Sequence, residues 1–160
     1  MKNVNETVRR QDRIMDESHA MEMLKNGDYG VLSMYDAETK TPYGVPVNYV
    51  WDGKDSIFIH CAVEGRKLRC IEKSSDVSFC IIGHTRVIPF KFTTERESVI
   101  FKGTAHFQLG DEEKLRALSL LVDKFSSEFK VAGMKYAEKS LHRVEIIRVD
   151  FTEWSGKCKY

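Results

Sequence analysis

The sequence predicts a mainly β domain, a closed or split β-barrel of about six to seven mostly antiparallel strands with helices inserted between them. Three observations predict it. Runs of period-two alternation, rich in Val, Ile, Phe and Tyr, recur from Tyr29 onward. Turn chemistry separates successive runs, most clearly Asp52-Gly53, a strong hairpin signal. A length of 160 residues, 42% hydrophobic with 3 Pro, suits one core and no second domain. Sequential hairpins argue against a parallel α/β sheet; a plain α+β sandwich satisfies the same observations and stays open.

The elements follow in order. Residues 1–14, polar and charged with Arg9, Arg10, Asp12 and Arg13, are expected to form an extended arm ahead of a single domain over 15–160. Asp16 has the character of an N-cap, Ala20, Met21 and Leu24 fall at helical spacing, and Gly27 terminates the helix. Strands are predicted over Tyr29–Tyr35, Tyr43–Trp51 and Ser56–Cys61. A helix over Glu64–Ser74 buries Leu68 and Ile71, and a strand follows over Val77–Ile82. Gly83–Glu95 has no clear period and reads as a long loop. Alternation resumes over Ser98–Gln108. Asp111 caps a helix to about Lys130, with Leu115, Leu118, Leu121, Val122, Phe125 and Phe129 on one stripe. A short helical piece over Met134–Lys139 and a last strand over Leu141–Trp154 complete the chain.

The charge balance excludes some functions. With 25 Lys+Arg against 24 Asp+Glu, the net charge of +1 leaves no broad basic face for nucleic acid. No apolar run reaches the ~20 residues of a membrane span, and Met1–Glu6 has no apolar core of a secretory signal. The expected location is cytoplasmic, with Cys61, Cys70, Cys80 and Cys158 as free thiols. No Walker loop, Gly-x-Ser-x-Gly elbow, His-Glu-x-x-His or Gly-x-Gly-x-x-Gly is present.

Two stretches carry chemical interest. His60-Cys61-Ala62-Val63-Glu64-Gly65-Arg66-Lys67-Leu68 runs from a strand end into a helix and places Arg66 and Lys67 in its first turn, with Arg69 close behind. Cations there oppose the helix dipole, and a bound phosphate would compensate them; a solvated basic helix surface explains them as well. In Tyr43-Gly44-Val45-Pro46-Val47-Asn48-Tyr49, the proline restricts the run to a sheet edge or a bulge. Backbone groups freed there could face a flat polar heterocycle, or the run could be a bare barrel rim. His60 could exchange a proton with a ligand or be a satisfied structural residue.

Taken together, Tyr29–Ser33, Gly44–Tyr49, Ile57–His60, Glu64–Leu68, Glu97–Gly103 and Ser155–Lys157 resemble, in order and spacing, the pyridoxamine-phosphate-oxidase-like flavoproteins, specifically their nitroimidazole-resistance branch. The resemblance covers nearly the whole chain from about residue 9. It implies an FMN-binding split barrel that dimerises and holds FMN at the subunit interface. By the same resemblance, Arg66 and Lys67 hold the FMN phosphate, and His60 and Cys61 lie beside it. The backbone of Val45, Val47, Asn48 and Tyr49 follows the isoalloxazine edge, and Trp154 of the partner subunit walls the pocket, unless it is a core or interface aromatic.

The implied activity is FMN-dependent reduction of a small electron-poor substrate such as a nitroaromatic, with His60 as proton donor and an external electron donor. Two alternatives stand beside it: a flavin-binding electron carrier without a dedicated substrate, and a haem-binding split barrel. Vitamin B6 oxidation lacks support because no further basic residues mark a second phosphate site.

Overall fold

In the computed structural model, which describes residues 1–160, the strands and helices are β1 (Lys2–Asn3), α1 (Glu17–Asn26), β2 (Tyr29–Asp36), β3 (Thr41–Asn48), β4 (Val50–Trp51), β5 (Ser56–Ala62), α2 (Arg66–Lys73), β6 (Asp76–Ile88), β7 (Thr93–His106), α3 (Asp111–Phe125), α4 (Lys130–Ser140) and β8 (Val144–Lys159). One sheet runs in the order β3-β2-β6-β7-β8-β5-β4, antiparallel throughout, with β1 added in parallel to β8. This is the split-barrel form with inserted helices.

The two ends of that path, β3 and β4, are consecutive in the chain and are joined at Tyr49. The single strand expected over Tyr43–Trp51 is therefore two: its first part pairs with β2 and its last two residues with β5. Tyr49 turns inward to make this switch. Its ring is fully buried, meets Phe79 edge-on at 4.9 Å, and its hydroxyl donates to the Leu24 carbonyl at 2.8 Å, tying the closure to the end of α1. Phe101 stacks on Phe151 at 4.6 Å in the same core; such aromatic pairs contribute ~0.5–1.5 kcal/mol beyond their buried area. Where β7 meets β8 the register shifts between Lys102 and Gly103, and a Cβ on Gly103 would lie 2.1 Å from the Asp150 carbonyl oxygen.

Helix α1 starts as expected, the Asp16 carboxylate accepting the His19 N–H at 2.9 Å, but it buries Met23 with Ala20 and Leu24 in place of Met21. The N-terminal residues are not a free arm. Val4, Val8 and Met15 are buried, and Asn5 donates to the Met15 carbonyl and accepts from the Gly156 N–H, each at 2.9 Å.

Gly83–Glu95 is not a loop. β6 and β7 continue through it as a hairpin, with pairs such as Arg86 with Glu95 and Ile88 with Thr93, after a register shift between Ile82 and Thr85. Its tip carries Phe90 and Phe92, the latter 98% exposed. The long helix ends at Phe125, short of Lys130, and begins after Gly110, with Asp111 as its first residue. β8 runs on to Lys159 by pairing with the outer half of β7. Helix α3 covers the outer face of β4, β5 and β8, where Val50, Phe58, Ala117, Leu121 and Ile146 form a second, smaller core. No helix is long and apolar enough to cross a membrane.

Candidate functional site

The candidate site lies along the seam where the sheet closes on itself, between β3 and β5. β3 pairs with β2 alone, so its other edge carries no strand ladder. Pro42 and Pro46 lie on this edge strand, the one setting where a missing N–H costs no ladder bond. Tyr43, Val45 and Val47 face inward and pack against the main core, as does Cys61 from β5, while Asn48 faces out and donates to the Asp28 carbonyl at 3.0 Å. The structure thus brings together Val45, Val47 and Cys61 along one seam.

α2 begins at the end of that seam. β5 ends at Ala62, and Gly65, at φ +155° and ψ 169°, turns the chain into the helix. That backbone region belongs essentially to glycine. No side chain caps α2, and no acidic residue lies in its first turn. α1, by contrast, has its Asp16 cap and α3 has Asp111, Glu112 and Glu113. The first-turn N–H groups and the positive end of the helix dipole are therefore open to an anion.

The three nearby cations are used differently. Arg66 folds back toward β2 and β3: its Nη2 and Nε each lie 2.7 Å from Asp36 Oδ2, and its guanidinium covers the Tyr43 ring at 4.1 Å. Asp36 is itself held in place, its other oxygen accepting the Glu38 and Thr39 N–H groups at 3.0 and 3.3 Å. Burial opposes the charge on Asp36, but the Arg66 hydrogen bond and these N–H groups outweigh it and hold the carboxyl below its ordinary range. Arg69 Nε lies 3.4 Å from Glu38. Lys67 has no acidic partner, so it is the cation left available at the helix start. The arrangement fits a phosphate, with Lys67 and the α2 N–H groups as donors and Arg66 as a cation fixed beside them. Asp36 and Tyr43, which set Arg66 in place, are the residues sequence reasoning missed; Asp36 falls just past the strand expected over Tyr29–Tyr35.

Cys61 is near enough to Lys67 to feel its charge, yet burial dominates and keeps the thiol above its ordinary range, so it is no ready nucleophile. His60 points to the opposite face of β5 from Cys61. It is exposed, makes no hydrogen bond or ion pair, and lines a cleft of about 220 Å³ with Leu118, Leu121, Val122, Phe125 and Ser126 of α3 and its end.

Two expected site residues are placed elsewhere. Trp154 is 1% exposed within the main core, its carbonyl accepting the Val4 N–H at 2.9 Å, so its side chain cannot wall a partner's pocket. The Tyr49 ring is likewise core, and its carbonyl accepts from Lys124 at 3.1 Å.

Among solved structures, the protein is similar to a candidate 5-nitroimidazole antibiotic resistance protein from Bacteroides thetaiotaomicron (TM-score 0.75, 20% identity, 90% of this chain and 85% of that one). It is similar also to a flavocytochrome from Azotobacter vinelandii (TM-score 0.76, 16% identity, 95% and 72%) and to an FAD- and haem-binding protein from Mycobacterium smegmatis (TM-score 0.73, 17% identity, 90% and 71%). At these identities the likeness is one of fold. No curated protein matches in sequence. Residues 16–158 match the family described as pyridoxamine 5'-phosphate oxidase. The chain belongs to the pyridoxamine 5'-phosphate oxidase family.

Proposed function

We propose that the protein binds FMN and is an oxidoreductase that reduces a small electron-poor substrate of the nitroimidazole or nitroaromatic type, working as a homodimer with an external electron donor. The observation that carries this reading is the uncapped start of α2, with Lys67 unpaired and Arg66 fixed by Asp36 at the end of a seam whose β3 edge is free. Flavin supplies hydride or electron transfer when bound, and the protein supplies orientation and electrostatics.

Lys67 and the first-turn N–H groups hold the phosphate. Arg66 sets the local potential and, locked between Asp36 and Tyr43, costs little entropy to place. The free edge of β3 around Val45, Val47 and Asn48 offers backbone groups to a polar heterocycle. His60 exchanges a proton with the substrate from the α3-side face of β5. Exposed apolar residues on the β6–β7 hairpin, Ile82, Phe90 and Phe92, supply surface for the second copy. A pyridoxamine-phosphate substrate would need a second phosphate cradle, and Arg66 and Arg69 are already drawn toward Asp36 and Glu38. The test is stopped-flow reoxidation of the reduced protein by a nitroimidazole: faster decay than free reduced FMN supports the enzyme, and equal decay supports an electron carrier.

A second reading draws on His60. An unpartnered imidazole on an apolar cleft is also what a haem iron would take as an axial ligand, but this leaves the α2 cradle without a role. A Soret band in place of flavin absorption would select it.

A further inference from the structure

We propose that Glu145 is the hydroxyl acceptor of a phosphopolyol subsite at the end of the seam, taking a chain hydroxyl of the ligand whose phosphate lies at the start of α2. The proposal deepens the flavin reading and rests on it for the identity of the ligand, since FMN carries its phosphate on a hydroxylated ribityl chain.

Placement comes from the sheet. Cys61 and Glu145 are paired directly across β5 and β8, one pair before the ladder ends at Ala62 and Val144. Residues directly opposite one another project to the same face. Beyond Ala62 the chain turns into α2, which opens with Arg66 and Lys67. The Cys61 thiol feels the charge of both Lys67 and Glu145, yet Glu145 pairs with Lys114 of α3 and not with Lys67. Two opposite charges therefore lie near one thiol without meeting each other.

The chemistry follows from how Glu145 is held. Its side chain is 9% exposed, and a carboxylate that deep is stable only with partners. Oε1 has two of them, the Ile146 N–H at 2.9 Å and the Lys114 ammonium at 3.1 Å. Oε2 accepts a hydrogen bond from no group of the protein, and because no buried side-chain oxygen lacks a partner, Oε2 reaches the surface. One oxygen thus fixes the carboxylate and leaves the other free to accept. Asp36, by contrast, has both oxygens occupied, by Arg66 and by the turn N–H groups.

Charge selects the class of donor. Lys114 already offsets Glu145, so an ammonium would find no unpaired charge, and a second phosphate would face a carboxylate. An uncharged hydroxyl meets neither obstacle, and its bond to a carboxylate is short and charge-assisted. A hydroxylated chain with a single terminal phosphate sets its anion on Lys67 and its donor on Glu145.

Calorimetric titration of the full chain compares FMN with a flavin phosphate whose connecting chain is an unhydroxylated pentyl group. The natural protein is expected to bind FMN at least about tenfold more tightly than this analogue. Glu145→Gln keeps an acceptor for the Ile146 N–H but loses the charge. It is expected to weaken FMN about fivefold and leave the analogue within about twofold, a pattern that lost packing would not give. Lys114→Gln retains the carboxylate and is expected to retain the preference for FMN. No preference in the natural protein, equal weakening of both flavins in Glu145→Gln, or loss of the preference in Lys114→Gln would each overturn the role of Glu145 and leave the flavin reading standing. Ribitol phosphate and pentyl phosphate repeat the comparison without the ring. A Glu145-dependent preference for ribitol phosphate in a chain that takes up no FMN would sustain the subsite and overturn the flavin reading; failure of all four probes to bind would overturn both.

Discussion

Arg66 places Nε and Nη2 each 2.7 Å from a single oxygen of Asp36, so that a cation from the helix after β5 is pinned to the end of β2 across the closing seam of the barrel. The pair joins stability to the candidate site, because the carboxylate that aims Arg66 also accepts two N–H groups of the β2–β3 turn.

That linkage predicts an acid dependence. Asp36 titrates below its ordinary range when folded, so its stabilisation is fully present above the usual Asp value of about 4 and is lost as pH falls through the lowered value. Glu97 acts in the same direction. Burial opposes its charge, but the Tyr160 hydroxyl, the His84 N–H and the imidazoles of His19 and His84 outweigh it. Urea midpoints taken from neutral to acid pH should therefore fall, and Asp36→Asn should start lower at neutral pH and show a shallower acid limb. An unchanged acid limb in Asp36→Asn would remove Asp36 from the account.

The two first-turn cations should differ on substitution. Lys67→Ala removes one charge-assisted contact and should weaken FMN binding by about 10- to 100-fold with little change in melting temperature. Arg66→Ala should weaken binding and also lower the melting temperature, because it strands Asp36, whose side chain is 5% exposed. Calorimetric titration with FMN beside thermal melts separates the two effects.

Gly65→Ala should cost ~1–3 kcal/mol in stability from backbone strain alone, since a Cβ there would meet no atom within 4 Å. It should also weaken FMN binding, because the same torsion aims the first turn of α2. Denaturant unfolding and flavin titration check both parts.

Tyr49→Phe tests the placement of Tyr49 in the core. Loss of the hydroxyl bond to the Leu24 carbonyl should cost about 1 kcal/mol, while FMN affinity stays unchanged.

Much of the fold was legible because burial writes a period into the sequence. β2 and the inner half of β6 alternate against one core, Asp16 caps α1, and Asp52 accepts the Lys54 and Ser56 N–H groups in the turn that Asp52-Gly53 announced. The outer hairpin was not legible for the same reason. His84 to Val87 project beyond the core and are exposed on both faces, so strand pairing there leaves no alternation to read. Trp154 stayed open between core and wall because a large aromatic near the end of a chain reads equally as either, and its burial places it in the core. Among the site residues, the cations at 66 and 67 were visible in the sequence, but the division of labour between them was not. Asp36 lies thirty positions before Arg66, and only the folded sheet brings the two together.

The central claim is a flavin held at the start of α2, and the visible spectrum of the purified protein, with identification of the cofactor it releases on denaturation, tests it most directly. The account predicts flavin absorption near about 450 nm and release of FMN, with binding weakened in Lys67→Ala. A colourless protein that fails to take up added FMN would contradict it.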